Sequence, residues 1–442
     1  MADSNLPPKS LSTRGGGAKE KLSPGDLWQA AVPAGLRFSG AVLQLITAII
    51  IARTLGATES GIYFFWTAAM MEAGRVATFG LDRIALQQVP RRDHTSGELW
   101  RFLALLRSTA LLIALPLSAI LCFYAFLADG ASPQSLFWYV IPPICVIGVT
   151  LSLINAETMT GLSRPVLAVL YRHSIVAFVL CPAILLFGER LTAEVAIAIY
   201  AAVFFLSGFG ALFGPGFPRG GPFLTLPRRQ PCKDLLKQGS PIFLSYLFAS
   251  LAFIIPLIIL ERTSSEDQIA IVTTSFRIFF LVDVLARAVH SIVMPELSLA
   301  AHEKKSGVLR KLYRATVFRG LIIMAGPVVL ILIFGQTVME VFGEDFGSGG
   351  IVLQVFMAFA LVSLILGPAH QMLLMVGKTG QMAGLSLTQF LFTSILGLIV
   401  VPKYGAPGLA LVIGLGVVLE KAMYLVASWI GAKKPPHDER VR

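Results

Sequence analysis

Seven stretches of this chain contain no Asp, Glu, Lys or Arg at all: 108–128, 130–156, 195–218, 238–260, 320–339, 346–377 and 379–402. A helix that crosses a bilayer needs roughly 20 mainly apolar residues. In water, runs of this length would have to be buried, and no soluble fold hides so many of them. The runs lack the period-two alternation of barrel strands and are separated by short polar loops. Helices, which satisfy their own backbone, are therefore the expected spanning element.

The composition agrees. Of 442 residues, 55% are hydrophobic and 14% charged, with a mean hydropathy of +0.76, against about a quarter charged in soluble chains. The opening "MADSNLPPKSLSTRGGGAKEKLSPGD" is polar and rich in Gly, Ser and Pro, with no apolar core before a cleavage site. It is expected to be a disordered cytoplasmic tail over residues 1–26 rather than a removable signal. Cys122, Cys145, Cys181 and Cys232 show no paired spacing and three lie in apolar runs, which points to buried small hydrophobes, not a disulfide or metal site.

Twelve spans are expected: 29–53, 61–82, 102–126, 136–157, 166–188, 193–214, 239–260, 269–293, 317–338, 350–376, 381–401 and 407–430. With the N-terminus cytoplasmic, the inside segments hold 25 Lys and Arg and the outside loops hold 4 (Arg53, Arg190, Arg262, Lys403). Outside loops such as "ERTSSEDQ" are acidic instead. This asymmetry orients both termini to the cytoplasm. It also accounts for the net charge of +11 through topology and anionic headgroups, so nucleic acid is not an expected partner. "ELSLAAHEKKSGVLRKLYRATVFRG" (296–320) reads as a basic amphipathic stretch on the inner surface.

The Pro/Gly/Arg-rich stretch at 215–238 divides the chain into an N-terminal six-helix bundle (27–214) and a C-terminal one (239–431), leaving 432–442 as a second cytoplasmic tail. An even number of spans per half makes the repeat parallel. "IIIART" (49–54) echoes "IILERT" (258–263), each ending the first span of its half. In "AIIIARTLGATESGIYFF" (48–65), Arg53 closes the first span, "TLGATES" forms an outer turn, and Gly61 opens the second. Gly56 and Gly61 supply permissive backbone for this hairpin.

"ARTLGATESGIYFF", together with "FGLDRIALQQVPRR" (79–92), resembles the N-terminal signature of polysaccharide-transporter flippases, whose superfamily includes multidrug and toxin extrusion antiporters. Ala52, Arg53, Leu55, Gly56, Gly61, Tyr63, Gly80 and Leu81 carry the match. The resemblance implies an all-α integral membrane transporter in which two six-helix bundles form a V around a cavity open alternately to each side. It implies a flippase of the bacterial inner membrane that moves a polyprenyl-(pyro)phosphate-linked oligosaccharide for O-antigen, exopolysaccharide or capsule. Lipid-linked oligosaccharide and membrane lipids would be its partners, with a polysaccharide polymerase and chain-length proteins besides.

Ionisable groups inside spans are costly and should face a partner or a water-filled cavity. On the second span, Glu72, Arg75, Asp82 and Arg83 fall within about a 100° arc; on the eighth, Asp283, Arg287 and His290 fall within roughly 60°. Glu72–Arg75 and Asp283–Arg287 are either neutralised pairs that lock helices or part of a polar lining between the halves. Arg277 turns away from any acid on its own helix, and an unpaired guanidinium suits a phosphate. Arg75, Arg277 and Arg287 are the expected phosphate ligands, with Arg37 and Arg107 at the inner entrance unless they merely snorkel. Glu72, Asp283 and His290 would tune or couple charge. His173 and His370 are further titratable candidates, and Gln354, Gln371, Gln381 and Gln389 would meet sugar hydroxyls or glue helices. Asn155 and Glu157 read as interfacial, and Arg53 and Arg262 as caps on helix C-termini.

No enzyme motif is present. "VGKTG" (376–380) imitates a phosphate-binding loop, but Met372 stands where its first glycine is required. Neither HExxH nor GxSxG occurs, and no cofactor is expected. The competing reading is an ion-coupled exporter of cationic drugs, which would want unpaired acids in the spans; here the embedded charges lean basic.

Overall fold

The computed structural model describes residues 24–92, 97–128, 137–210, 222–226, 229–291, 306–375 and 379–433. Residues 1–23, residues 292–305 and "VGK" at 376–378 lie outside the described residues, as do the side chains of Arg37, His173, Arg287, His290 and Gln371.

The described elements are helical. They are α1 (Pro24–Ala77), α2 (Leu81–Gln88), α3 (Gly97–Ala128), α4 (Phe137–Gly161), α5 (Pro165–Val169), α6 (Ile175–Phe187), α7 (Ala193–Phe209), α8 (Arg229–Thr263) and α9 (Glu266–Ser291), followed by α10 (Ser306–Ile333), α11 (Gly335–Glu340), α12 (Gly350–Leu366), α13 (Ala369–Met375) and α14 (Thr379–Lys433). A π-helical turn, Leu170–Ser174, joins α5 to α6.

Two of these helices are too long to cross once. At 1.5 Å per residue the 54 residues of α1 would run about 80 Å if straight, well beyond a hydrocarbon core of about 30 Å. Gly56, with φ 75° and ψ −179°, breaks the helix and lets it return. Gly405 (φ 56°, ψ −134°) does the same within the 55 residues of α14. Eight helical segments have the length and hydropathy of a membrane span, these two double-length ones among them. The short apolar α7 and the more polar α9 complete the expected twelve crossings. Large apolar side chains such as Ile120, Leu206, Ile322 and Leu398 point outward, more than 60% exposed, which suits a multi-pass membrane protein surrounded by lipid.

In the N-terminal half α4 is central, packed on α1, α3 and α7; in the C-terminal half α14 lies along α8 and α12. The halves meet where α1 touches α9 and α8, and where α2 touches α8.

Three expectations change. The outer turn is not "TLGATES" but Gly56 alone; Thr58 and Ser60 already belong to the next arm, and Ser60 Oγ donates to Ala57 O at 3.1 Å. A single residue suffices because only glycine takes this conformation without strain. The second span ends at Ala77, since Phe79 and Gly80 both have positive φ (53° and 73°), so Asp82 and Arg83 sit on the separate α2. The stretch "SGVLRKLYRATVFRG" is continuous with a spanning helix from Ser306 onward, not a detached surface segment. Asn155 and Glu157, near the end of α4, are 0% and 3% exposed, with Arg107 and two further arginines as their partners.

Candidate functional site

The seam between the halves holds polar contacts at three levels. At the level of the Gly56 bend the helices touch through backbone. A Cβ on Gly61 would lie 2.6 Å from the Glu266 carbonyl oxygen, so only glycine permits this approach. Beside it, Thr58 Oγ1 donates to Asp267 Oδ1 at 2.9 Å. Arg53 Nε donates to the Val341 carbonyl at 2.7 Å, at the C-terminal end of α11, where the helix dipole favours a cation. Its repeat-related counterpart, Arg262, pairs with Glu261 at 3.1 Å and lies 5.5 Å from the Tyr124 ring, whose hydroxyl donates to Glu261 at 2.9 Å. Each half thus sends the arginine end of its first span to the other.

The middle level carries the cations. Arg277, on α9, donates from Nη2 to Thr67 Oγ1 at 3.3 Å, and its guanidinium stands 4.2 Å from the Phe64 ring centre and 5.9 Å from that of Tyr63. No ion pair to a carboxylate within 4.0 Å is found for it among the described residues. Aromatic faces stabilise its charge without neutralising it. Arg75 pairs with Glu72 at 3.1 Å and remains 38% exposed. Ser250 of α8 receives a hydrogen bond from Arg75 Nη2 at 3.2 Å and donates to Glu72, tying the pair across the seam.

At the level of the break after Ala77, Phe79 stacks on Phe243 with ring centres 4.0 Å apart, and a Cβ on Gly239 would lie 2.3 Å from the Phe79 carbonyl oxygen. Arg83 Nε donates to the Tyr246 hydroxyl at 3.0 Å, and that hydroxyl donates to Asp82 Oδ2 at 3.2 Å. Glu157 lies 3.3 Å from Arg83 Nη1 and also receives Arg172, which the π-helical turn presents to it.

The other sequence candidates fall elsewhere. Arg107 is 1% exposed, inside the N-terminal half, where Nε and Nη2 donate to Asn155 Oδ1 at 3.3 and 3.2 Å and the Phe223 ring lies 4.5 Å away. Asp283 is held at 3.0 Å by Lys421 of α14, which also donates to Ser363. Tyr63 is buried beside Arg277, and Gly80 packs against Ile242. The side chains of Arg37, Arg287 and His290 lie outside the described residues.

Sequence reasoning missed two groups. One is Lys421, whose acid lies 138 positions away in the chain. Glu420 went unremarked; its carboxylate accepts from Tyr424 at 2.7 Å and from Ser386 at 3.3 Å, with no Lys or Arg in salt-bridge range among the described residues. An acid–base doublet inside an apolar run was the available signal. No group of His, Cys, Asp and Glu able to hold a metal occurs among the described residues, and the cysteines are free thiols.

Twelve crossings in two bundles, meeting along a polar seam, define the class: a membrane protein with the fold of the multidrug/oligosaccharidyl-lipid/polysaccharide transporters. The lipid II flippase MurJ in an inward closed conformation superposes with a TM-score of 0.70 over 90% of this chain and 87% of its own, at 15% identity. A multidrug resistance MATE transporter in its inward-facing conformation gives 0.62 over 91% and 98%, also at 15% identity. A superfamily transporter from Pyrococcus furiosus, noted for the reverse polarity of its binding pocket, gives 0.57 over 92% and 96% at 16% identity. A search of curated sequences finds no match. The profile of the polysaccharide biosynthesis protein family matches residues 30–299, well over half of the chain, and the chain belongs to that family.

Proposed function

We propose that this protein is a flippase that carries a polyprenyl-(pyro)phosphate-linked oligosaccharide across the bacterial inner membrane during surface polysaccharide synthesis. The observation that carries the reading is Arg277: a guanidinium among spanning helices, at the seam between the halves, with aromatic rings and a hydroxyl around it and no carboxylate paired to it among the described residues. A charge buried in a membrane and left unneutralised is costly, and an anionic cargo removes that cost while it is bound. The saccharide and phosphate cannot cross hydrocarbon unaided; a cationic seam shelters them while the prenyl chain stays in the lipid. Arg75, still partly open, is the second phosphate ligand, and Glu72 sets its position. Alternating access between the outer and inner contacts moves the headgroup.

Arg277→Ala is expected to abolish surface polymer and to accumulate lipid-linked repeat units while the protein remains in the membrane; Arg277→Lys, which keeps the charge but loses the bidentate fork, should retain part of the export. Normal surface polymer in Arg277→Ala cells would remove Arg277 from the site. Glu420 favours a second reading, an ion-coupled exporter of cations, because it is an acid in a span with only hydroxyl donors. Deleting the gene separates the two: drug hypersensitivity with an intact surface polymer selects the exporter.

A further inference from the structure

The cytoplasm-facing end of α10 carries an arrangement that the transport reading does not use. Arg310, Lys311 and Arg314 are exposed, and no carboxylate within 4.0 Å of them is found among the described residues. At 100° per residue they share one face of the helix, and Phe318 and Ile322 continue it toward the bilayer centre within an arc of about 120°. Those two apolar side chains are 64% and 65% exposed. Trp429 of α14 flanks the cations: the Arg310 guanidinium lies 5.8 Å from its ring centre, and the Tyr313 ring packs edge-on against it at 5.8 Å. The Tyr313 hydroxyl donates to the Leu366 carbonyl, so the wall behind the cations is fixed. Outward from Trp429, Val426 and Ile430 are 58% and 57% exposed.

We propose that this face binds an anionic phospholipid of the leaflet that the Lys and Arg bias marks as cytoplasmic. Its phosphate sits among Arg310, Lys311 and Arg314, its glycerol level beside Trp429, and its acyl chains along Phe318 and Ile322. Charge complementarity selects the occupant: unpaired cations at headgroup depth attract anionic lipid, and indole rings sit at that depth. General loop positivity does not explain the feature, because these charges are on an ordered helix, on one face, directly above an exposed apolar stripe. The site lies on the outer surface of the C-terminal half and does not depend on the cargo proposed above.

The test uses the full chain in detergent, with equal amounts of phosphatidylglycerol and phosphatidylcholine, and counts retained lipids by native mass spectrometry. The wild type should retain phosphatidylglycerol in preference, and each cation changed to Ala should lower that retention about fivefold, leaving phosphatidylcholine unchanged. Lys233→Ala/Lys237→Ala, which removes two exposed cations from the start of α8, should keep the preference. Equal loss in both sets, or no preference in the wild type, overturns the proposal. With an equal amount of a polyprenyl phosphate added, a wild type that retains it and no phosphatidylglycerol overturns it too. If the α10 variants fail to fold, quenching by brominated phosphatidylglycerol in vesicles decides: the quenchable fluorescence should fall in Trp429→Phe, and an unchanged quench overturns the site.

Discussion

Removing the carboxylate of Asp283 strands the ammonium of Lys421 among α9, α12 and α14. Both side chains are less than a quarter exposed, so the loss of one partner leaves a charge that neither water nor protein fully solvates. Asp283→Asn should therefore destabilise the protein by about 2–4 kcal/mol, seen as a lower unfolding temperature in detergent. Asp283→Asn combined with Lys421→Met should recover most of that loss, because the double change removes both charges together. A single and a double variant that unfold alike would show that the pair carries no coupling. Residue by residue, the sequence revealed which groups were charged inside spans and which helix each occupied. It did not reveal partners supplied by other helices. Glu72 and Arg75 were legible because i,i+3 spacing makes them neighbours on any helix. Asp283 and Lys421 were not, since only tertiary packing brings α14 to α9. Arg277 was legible by the converse logic: no acid on its own helix faced it, and the fold brought it aromatic rings instead.

At the scale of elements, the glycines decide how near the helices come. Gly61 puts the start of the second arm of α1 against the first residue of α9, and any side chain there would occupy the place of the Glu266 carbonyl. Gly61→Val should force the outer ends of these helices apart. Cysteines placed at Thr58 and Asp267, whose side chains bond in the wild type, should form a disulfide readily with Gly61 present and at least several-fold less in Gly61→Val. Equal cross-linking in both backgrounds would mean that the close approach is not needed. The hairpin itself was readable from "ARTLGATESG", but the position of its bend was not. A polar heptapeptide looks like a loop, whereas Thr and Ser can also open a helix by bonding to nearby backbone. The break after Ala77 was hidden for a related reason: Phe79 takes a left-handed conformation that no local rule assigns to phenylalanine. The surrounding contacts with Phe243 and Gly239 hold it there.

For the whole molecule, the seam is closed by contacts at both of its ends. At one end they run through Arg53, Thr58 and Gly61, and at the other through Phe79, Arg83 and Gln88, whose amide donates to Gln238 at 3.0 Å. A cargo that enters on one side and leaves on the other requires these sets to part in turn. The Thr58→Cys/Asp267→Cys disulfide should therefore stop export of surface polymer, and a reductant should restore it. Export that continues with the disulfide formed would show that this end of α1 and α9 never separates. Span number and the bias of charge could be read without coordinates, because each follows from the energetics of a chain in lipid. The seam's chemistry could not, since it is assembled from helices of both halves, far apart in the chain.

The joint at Gly56 has a mechanical corollary. One residue connects two membrane-length rods, so there is no slack to absorb relative motion; only its two torsions can yield. If the first rod swings, the near end of its neighbour must move with it, because the two share that one residue. The pair behaves as a stiff crank with a single bearing, so lengthening that bearing by even a few flexible residues should uncouple the stroke while leaving both rods in place.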